Sequence, residues 1–155
     1  MTSDPYVLIV DDEEPVRDVI GRMLARSGLR LRYATNADDA LTEVYAHPPM
    51  VVVADVHMPG RSGLWLASQV QDISPRTAIV LASGDGELPS SETLRTGVVA
   101  YVLKPFRPQA IVAAVADGVR WWQDAHGSLG GRSALSPHQS LGGDVQPTGA
   151  HCEKR

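Results

Sequence analysis

Asp55 closes an apolar run, Met50-Val51-Val52-Val53-Ala54, and is followed at once by Val56-His57-Met58-Pro59-Gly60. A strand of that character, stopped on a carboxylate and turned by Pro-Gly, presents an acid at its C-terminal end. Three more apolar runs stop on polar side chains: residues 6–10 on Asp11-Asp12, residues 77–82 on Ser83, and residues 98–103 on Lys104. In a parallel sheet these ends share one edge, where open α/β folds do their chemistry. Three carboxylates gathered there repel one another, and a hard divalent cation relieves the repulsion. Mg²⁺ (or Mn²⁺) takes oxygen ligands and is commonly shared between carboxylates and a phosphate. Lys104 offers a point charge to a phosphoryl oxygen and Ser83 a hydroxyl donor. A carboxylate nucleophile with metal, cation and donor around it is equipped for phosphoryl transfer.

Each residue also has a plainer reading. Asp11 and Asp12 could serve the N-terminus of the following helix through its dipole. Asp55 could be a turn residue before Pro59-Gly60. Ser83 could be a loop hydroxyl and Lys104 a solvated charge. What favours a shared site is the arrival of all of them on one edge.

The positioning elements follow from periodicity. Residues 6–10 read as a strand. Acids before Pro15 mark a helix start, and Val16, Val19, Ile20, Met23 and Leu24 recur at helical spacing up to a stop at Gly28. Leu29, Leu31 and Tyr33 alternate with Arg30 and Arg32, which gives a second strand. Asn36 caps a helix carrying Ala37, Ala40, Leu41 and Val44, ended by His47-Pro48-Pro49. Residues 50–54 form the third strand and 64–73 a helix facing inward through Leu66, Val70 and Ile73. Residues 77–82 form the fourth strand, 88–96 a weakly patterned helix and 98–103 the fifth strand. Pro108 opens a last helix with Ile111, Val112, Val115, Val119 and Trp122 inward and Trp121 off that face. Five strand–helix alternations with fully apolar strands specify a doubly wound five-stranded parallel sheet of flavodoxin-like order 2-1-3-4-5. Residues 1–5 read as an N-terminal extension, 6–125 as the domain, and 126–155, rich in Gly, Ser and Pro, as a disordered tail.

The 155 residues suffice for one full core, and a net charge of −4 argues against direct nucleic-acid binding. Neither a signal peptide nor a membrane-length apolar run is visible, so a cytoplasmic protein without membrane insertion is expected. The single Cys152 rules out an intrachain disulfide and a cysteine metal site.

From about Tyr6 to Trp122 the chain resembles the receiver domain of bacterial two-component response regulators, in a stand-alone form. Val10-Asp11-Asp12-Glu13 resembles that family's acidic pair. Asp55-Val56-His57-Met58-Pro59, with Gly63 beyond, resembles its phosphoacceptor loop. Leu81-Ala82-Ser83-Gly84 resembles its Thr/Ser switch strand, and Tyr101-Val102-Leu103-Lys104-Pro105-Phe106 its aromatic-x-x-Lys-Pro-Phe block.

The resemblance implies that Asp55 accepts a phosphoryl group from phosphohistidine on a sensor histidine kinase or histidine phosphotransfer protein. Asp12, Asp55 and the backbone carbonyl of His57 would hold Mg²⁺ directly, with Asp11 acting through water. Lys104 and Ser83 would bind the phosphoryl oxygens, Tyr101 would be the switch aromatic, and the bond before Pro105 would be cis. His57 and Asp85, each two residues beyond a key position, would tune dephosphorylation; solvated loop residues are the alternative. Gly84 departs from the usual Ala. Output would be phosphorylation-dependent protein binding, with a homodimer through residues 88–96, the fifth strand and the last helix as one form. A terminal regulator and a phosphorelay intermediate both stay open.

Two other classes compete. A haloacid-dehalogenase-type phosphatase also uses an Asp nucleophile, Mg²⁺ and Lys, but it resembles Asp-x-Asp, where this chain has His57. A flavodoxin-like cofactor binder needs a phosphate-cradling loop after the first strand, where Asp11 to Glu14 repel phosphate.

Overall fold

A computed structural model describes residues 4–84 and 97–127. Its strands are β1 (Tyr6–Val10), β2 (Arg30–Ala34), β3 (Val51–Asp55), β4 (Ala78–Ser83) and β5 (Val98–Leu103). Its α-helices are α1 (Glu14–Leu24), α2 (Ala37–Ala46), α3 (Gly63–Ile73) and α4 (Pro108–Gly127). Asp85, the helix expected over 88–96, Cys152 and all of the expected tail beyond Gly127 lie outside the described residues.

The five strands are parallel in the order β2-β1-β3-β4-β5, the doubly wound, flavodoxin-like arrangement expected. Successive side chains of a strand point to opposite faces, which divides the core in two. Tyr6, Leu8, Val10, Val52, Ala54, Ile79 and Leu81 pack with Ala40 and Val44 of α2 and Leu66 and Val70 of α3. Val7, Ile9, Val51, Val53, Ala78 and Val80 pack with Ile20 and Leu24 of α1 and Ile111 and Val115 of α4. Helices on both faces leave no solvated side, so the central strands carry no polar alternation.

Local signals set the helix ends. The Asn36 side chain accepts the Asp39 N–H at 2.7 Å, and Ser62 accepts that of Trp65 at 3.1 Å. After α1 the chain tightens into one 3-10 turn, Ala25–Ser27, before Gly28 turns left-handed at φ +74°.

Several expectations need correction. Val112 was placed on the inner face of the last helix but is 40% exposed, and Ala114 and Gly118 are buried instead. The buried stripe of α4 thus advances through 111, 114, 115 and 118, and Val112 lies a step around the helix from it. Trp121, expected off the core face, packs against the same cluster as Trp122. Tyr33 is 49% exposed, because β2 is an edge strand and its ring lies out over Gly21. The third and fourth strands each begin and end one residue later than expected. Asp55 still pairs with Ala82, and Ser83 with Leu103. Both site residues therefore sit on strand backbone, which holds a side chain more rigidly than a loop does.

Candidate functional site

The site is built where β1 and β3, neighbours in the sheet, send their helices to opposite faces. This is the point at which an open α/β sheet forms a crevice. β1 delivers Asp11, which is 2% exposed, and the loop beyond delivers Asp12, which is open to solvent. The backbone holds Asp11 tightly: its N–H donates to the Ala34 carbonyl at 3.2 Å. Its Oδ1 accepts the Glu13 N–H at 2.9 Å, ahead of the first turn of α1.

Asp55 arrives on β3 and is buried. Its Oδ1 accepts the His57 N–H at 3.3 Å. The chain then leaves along a path fixed from both sides, with Val56 N–H donating to Ala82 O at 2.8 Å and Gly63 N–H to Val56 O at 3.0 Å. One oxygen from each of Asp11, Asp12 and Asp55 lies within 4.8 Å of the others.

β5 delivers Lys104, whose Nζ stands 3.2 Å from Asp11 Oδ2 and 3.2 Å from Asp55 Oδ2. Its N–H donates to Ser83 O at 2.8 Å, so the ends of β4 and β5 are laced together. Ser83 is buried, Tyr101 is half-buried against the cluster that holds Leu8, Leu66 and Leu81, and His57 is exposed. The Lys104–Pro105 peptide is cis.

Three carboxylates and one ammonium leave two net negative charges over an all-oxygen donor set. That charge and that chemistry fit a divalent hard cation such as Mg²⁺. Burial and neighbouring charge shift two of these groups, Asp11 and Lys104. Burial pushes the Asp11 carboxyl above the usual range, with the Asp55 charge adding to the rise. The Glu13 N–H and Lys104 oppose it without cancelling it. Burial lowers the Lys104 ammonium, but Asp11 and Asp55 together outweigh that and leave it above its ordinary value.

A raised acid destabilises the fold once pH climbs through its unfolded value toward its folded one, and the full cost persists above. Metal-free Asp11→Asn is therefore expected to melt higher than wild type at pH 7. The gap should close below pH ~4, where both states of Asp11 are protonated. Thermal melts in chelator across that pH range check it; an Asn variant less stable at pH 7 would show that the Lys104 pair outweighs the burial cost.

One contributor escaped the sequence reading. Arg17 Nη1 donates to the Asp11 carbonyl at 2.7 Å. The available signal was a long cation in the first turn of a helix, where acids are favoured. Helical side chains lean toward the N-terminus, which aims such a residue back at the preceding loop.

Comparison with known proteins agrees with the geometry. The family model described as "Response regulator receiver domain" matches residues 7–116. Among solved structures, the chain resembles the receiver domain of NtrX from Brucella abortus at 27% identity and a TM-score of 0.68, over 74% of this chain and 98% of that one. It resembles FixJ-N at 30% identity and a TM-score of 0.67, over 77% and 96%. A CheY-like receiver domain protein from Methanospirillum hungatei matches in fold with a TM-score of 0.72 at 22% identity, over 79% and 99%. With the family model spanning both cores and all four strand ends of the site, the chain belongs to the response regulator receiver domains of two-component signalling.

Proposed function

We propose that this chain accepts a phosphoryl group on Asp55 from phosphohistidine of a sensor histidine kinase or histidine phosphotransfer protein. The observation that carries the reading is the Lys104 ammonium held 3.2 Å from both Asp11 and Asp55, with Asp12 joining them in one carboxylate cluster.

In the transfer, a carboxylate oxygen of Asp55 forms a bond to phosphorus as the phosphorus–nitrogen bond breaks. The electron pair returns to the donor imidazole, which takes up a proton from solvent. Asp12, Asp55 and the His57 carbonyl would hold Mg²⁺ (or Mn²⁺), with Asp11 acting through water; bound there, the ion screens the charge that develops on the phosphoryl oxygens. Lys104 supplies the second positive charge, already aimed into the site by its two acid partners. Ser83 offers its hydroxyl from the buried end of β4.

The product places about −1.5 to −2 charges among these donors. Lys104 then has a phosphoryl group to bind, and the joined ends of β4 and β5 carry that change to Tyr101. The readout is partner binding, which we assign to the face of β5 and α4, as a homodimer or with a target protein. His57, exposed two residues beyond Asp55, would influence water at the phosphate.

The direct test is incubation with acetyl phosphate, with Mg²⁺ or with chelator, followed by mapping of the modified residue by mass spectrometry. Label on Asp55 that requires the metal is the expected result. Label elsewhere, or label unaffected by chelation, overturns the reading.

A further inference from the structure

We propose that Arg17 is a positioning residue for the divalent cation, acting through the peptide that joins Asp11 to Asp12. The inference rests on the cation site described above. Among the described residues, Asp12 is the member of the acidic cluster whose carboxylate makes no hydrogen bond or ion pair. Asp11 is fixed by Glu13 and Lys104, and Asp55 by His57 and Lys104. Asp12 is exposed and owes its place beside the others to its backbone alone.

That backbone is gripped from below. The Asp11 carbonyl oxygen and the Asp12 nitrogen belong to one planar unit. Arg17 Nη1 donates to that oxygen at 2.7 Å, a short charge-assisted bond. The Asp11 N–H donation to Ala34 anchors the residue on its other side. Holding both the entry to Asp11 and its exit carbonyl fixes the plane from which the Asp12 Cα departs. Arg17 itself is anchored one turn into α1, where its own N–H donates to the Glu13 carbonyl at 3.2 Å. The loop and the first turn thus form a closed ring of hydrogen bonds, and Arg17 supplies its side-chain link.

This role makes a prediction opposite in sign to that of charge alone. Arg17 is a cation near a cation site, so through-space repulsion predicts tighter metal binding when it is removed. Positioning predicts weaker binding, typically by about 10- to 100-fold for an outer partner of a ligand. The experiment titrates Mg²⁺ by calorimetry and Mn²⁺ by its EPR signal. It compares the full chain with Arg17→Ala, Arg17→Lys, Asp12→Ala and the Arg17→Ala/Asp12→Ala double variant. Metal-free melts are recorded alongside.

Expected are weaker binding in Arg17→Ala, partial recovery in Arg17→Lys, whose single ammonium replaces a fork, and a double variant no weaker than Asp12→Ala. Wild type that binds neither ion overturns the cation site and this inference with it. Wild type that binds, with Arg17→Ala unchanged or tighter, overturns the inference alone. So does a double variant that loses affinity additively, since Arg17 would then act on the fold at large rather than through Asp12.

Discussion

Asp55→Asn protein incubated with acetyl phosphate and Mg²⁺ is expected to take up label only at background level while keeping its fold. The amide preserves the size of the side chain and keeps an acceptor for the His57 N–H now bonded to Oδ1. It removes the anion, and a neutral carboxamide oxygen is a poor nucleophile toward phosphorus. It also removes one of the two acids that hold Lys104, leaving Asp11 as its partner. Lys104 therefore remains paired, and no buried charge is orphaned. With its partner carboxylate gone, Asp11 loses the neighbour whose charge helped to raise it, so the metal-free variant should be at least as stable as wild type at neutral pH. The combination is diagnostic: labelling lost, melting temperature held or raised. Equal labelling of variant and wild type would remove Asp55 from the acceptor position.

Gly63→Ala should be the most damaging single methyl near the site. A Cβ at Gly63 would lie 2.2 Å from the Asp55 carbonyl oxygen, 2.8 Å from its carbon and 3.0 Å from Val56 Cα. All three are backbone atoms of the strand end that carries Asp55, and none can rotate aside. Relief requires α3 to withdraw or the end of β3 to shift, each of which breaks the Gly63 N–H bond to Val56. A cost of about 3 kcal/mol is expected, a fall in melting temperature on the order of 10 °C. Labelling of the molecules that do fold should drop as well, because the displaced backbone is that of Asp55. Gly60→Ala is the control in the same loop. Gly60 has φ +82° but open space around it, so its cost is conformational, about 1–2 kcal/mol. A Gly63→Ala protein as stable as Gly60→Ala would mean that α3 yields easily.

Much of this was legible in the sequence because the relevant signals are local. Val51-Val52-Val53 states that both faces of a strand are covered, and Asn36 is a short polar residue of the kind that caps a helix. The four polar strand ends were visible because a parallel sheet needs only chain direction to place them on one edge.

What escaped depends on three-dimensional neighbours. Which way Tyr33 and Val112 face is set by how far the sheet and its helices overlap, and periodicity alone is blind to that at an edge. The grip of Arg17 on the Asp11 carbonyl lies beyond motif reading, since the acceptor is backbone and carries no residue identity. The bridging position of Lys104 depends on β5 joining β4 in a register that is interrupted between Ile79 and Val80.

The ammonium of Lys104 and the carboxylate of Asp11 are separated by 93 positions of chain. Bringing them together requires closing that loop, which costs chain entropy. The paired ends of β1 and β3 bring the carboxylates together, but the cation arrives only with β5, so the acceptor site proposed for Asp55 is incomplete without it. Chains in which β5 has not docked are therefore expected to label poorly with acetyl phosphate, because Lys104 reaches Asp55 only through β5. The labelled fraction of a preparation would then serve as a census of its correctly finished molecules.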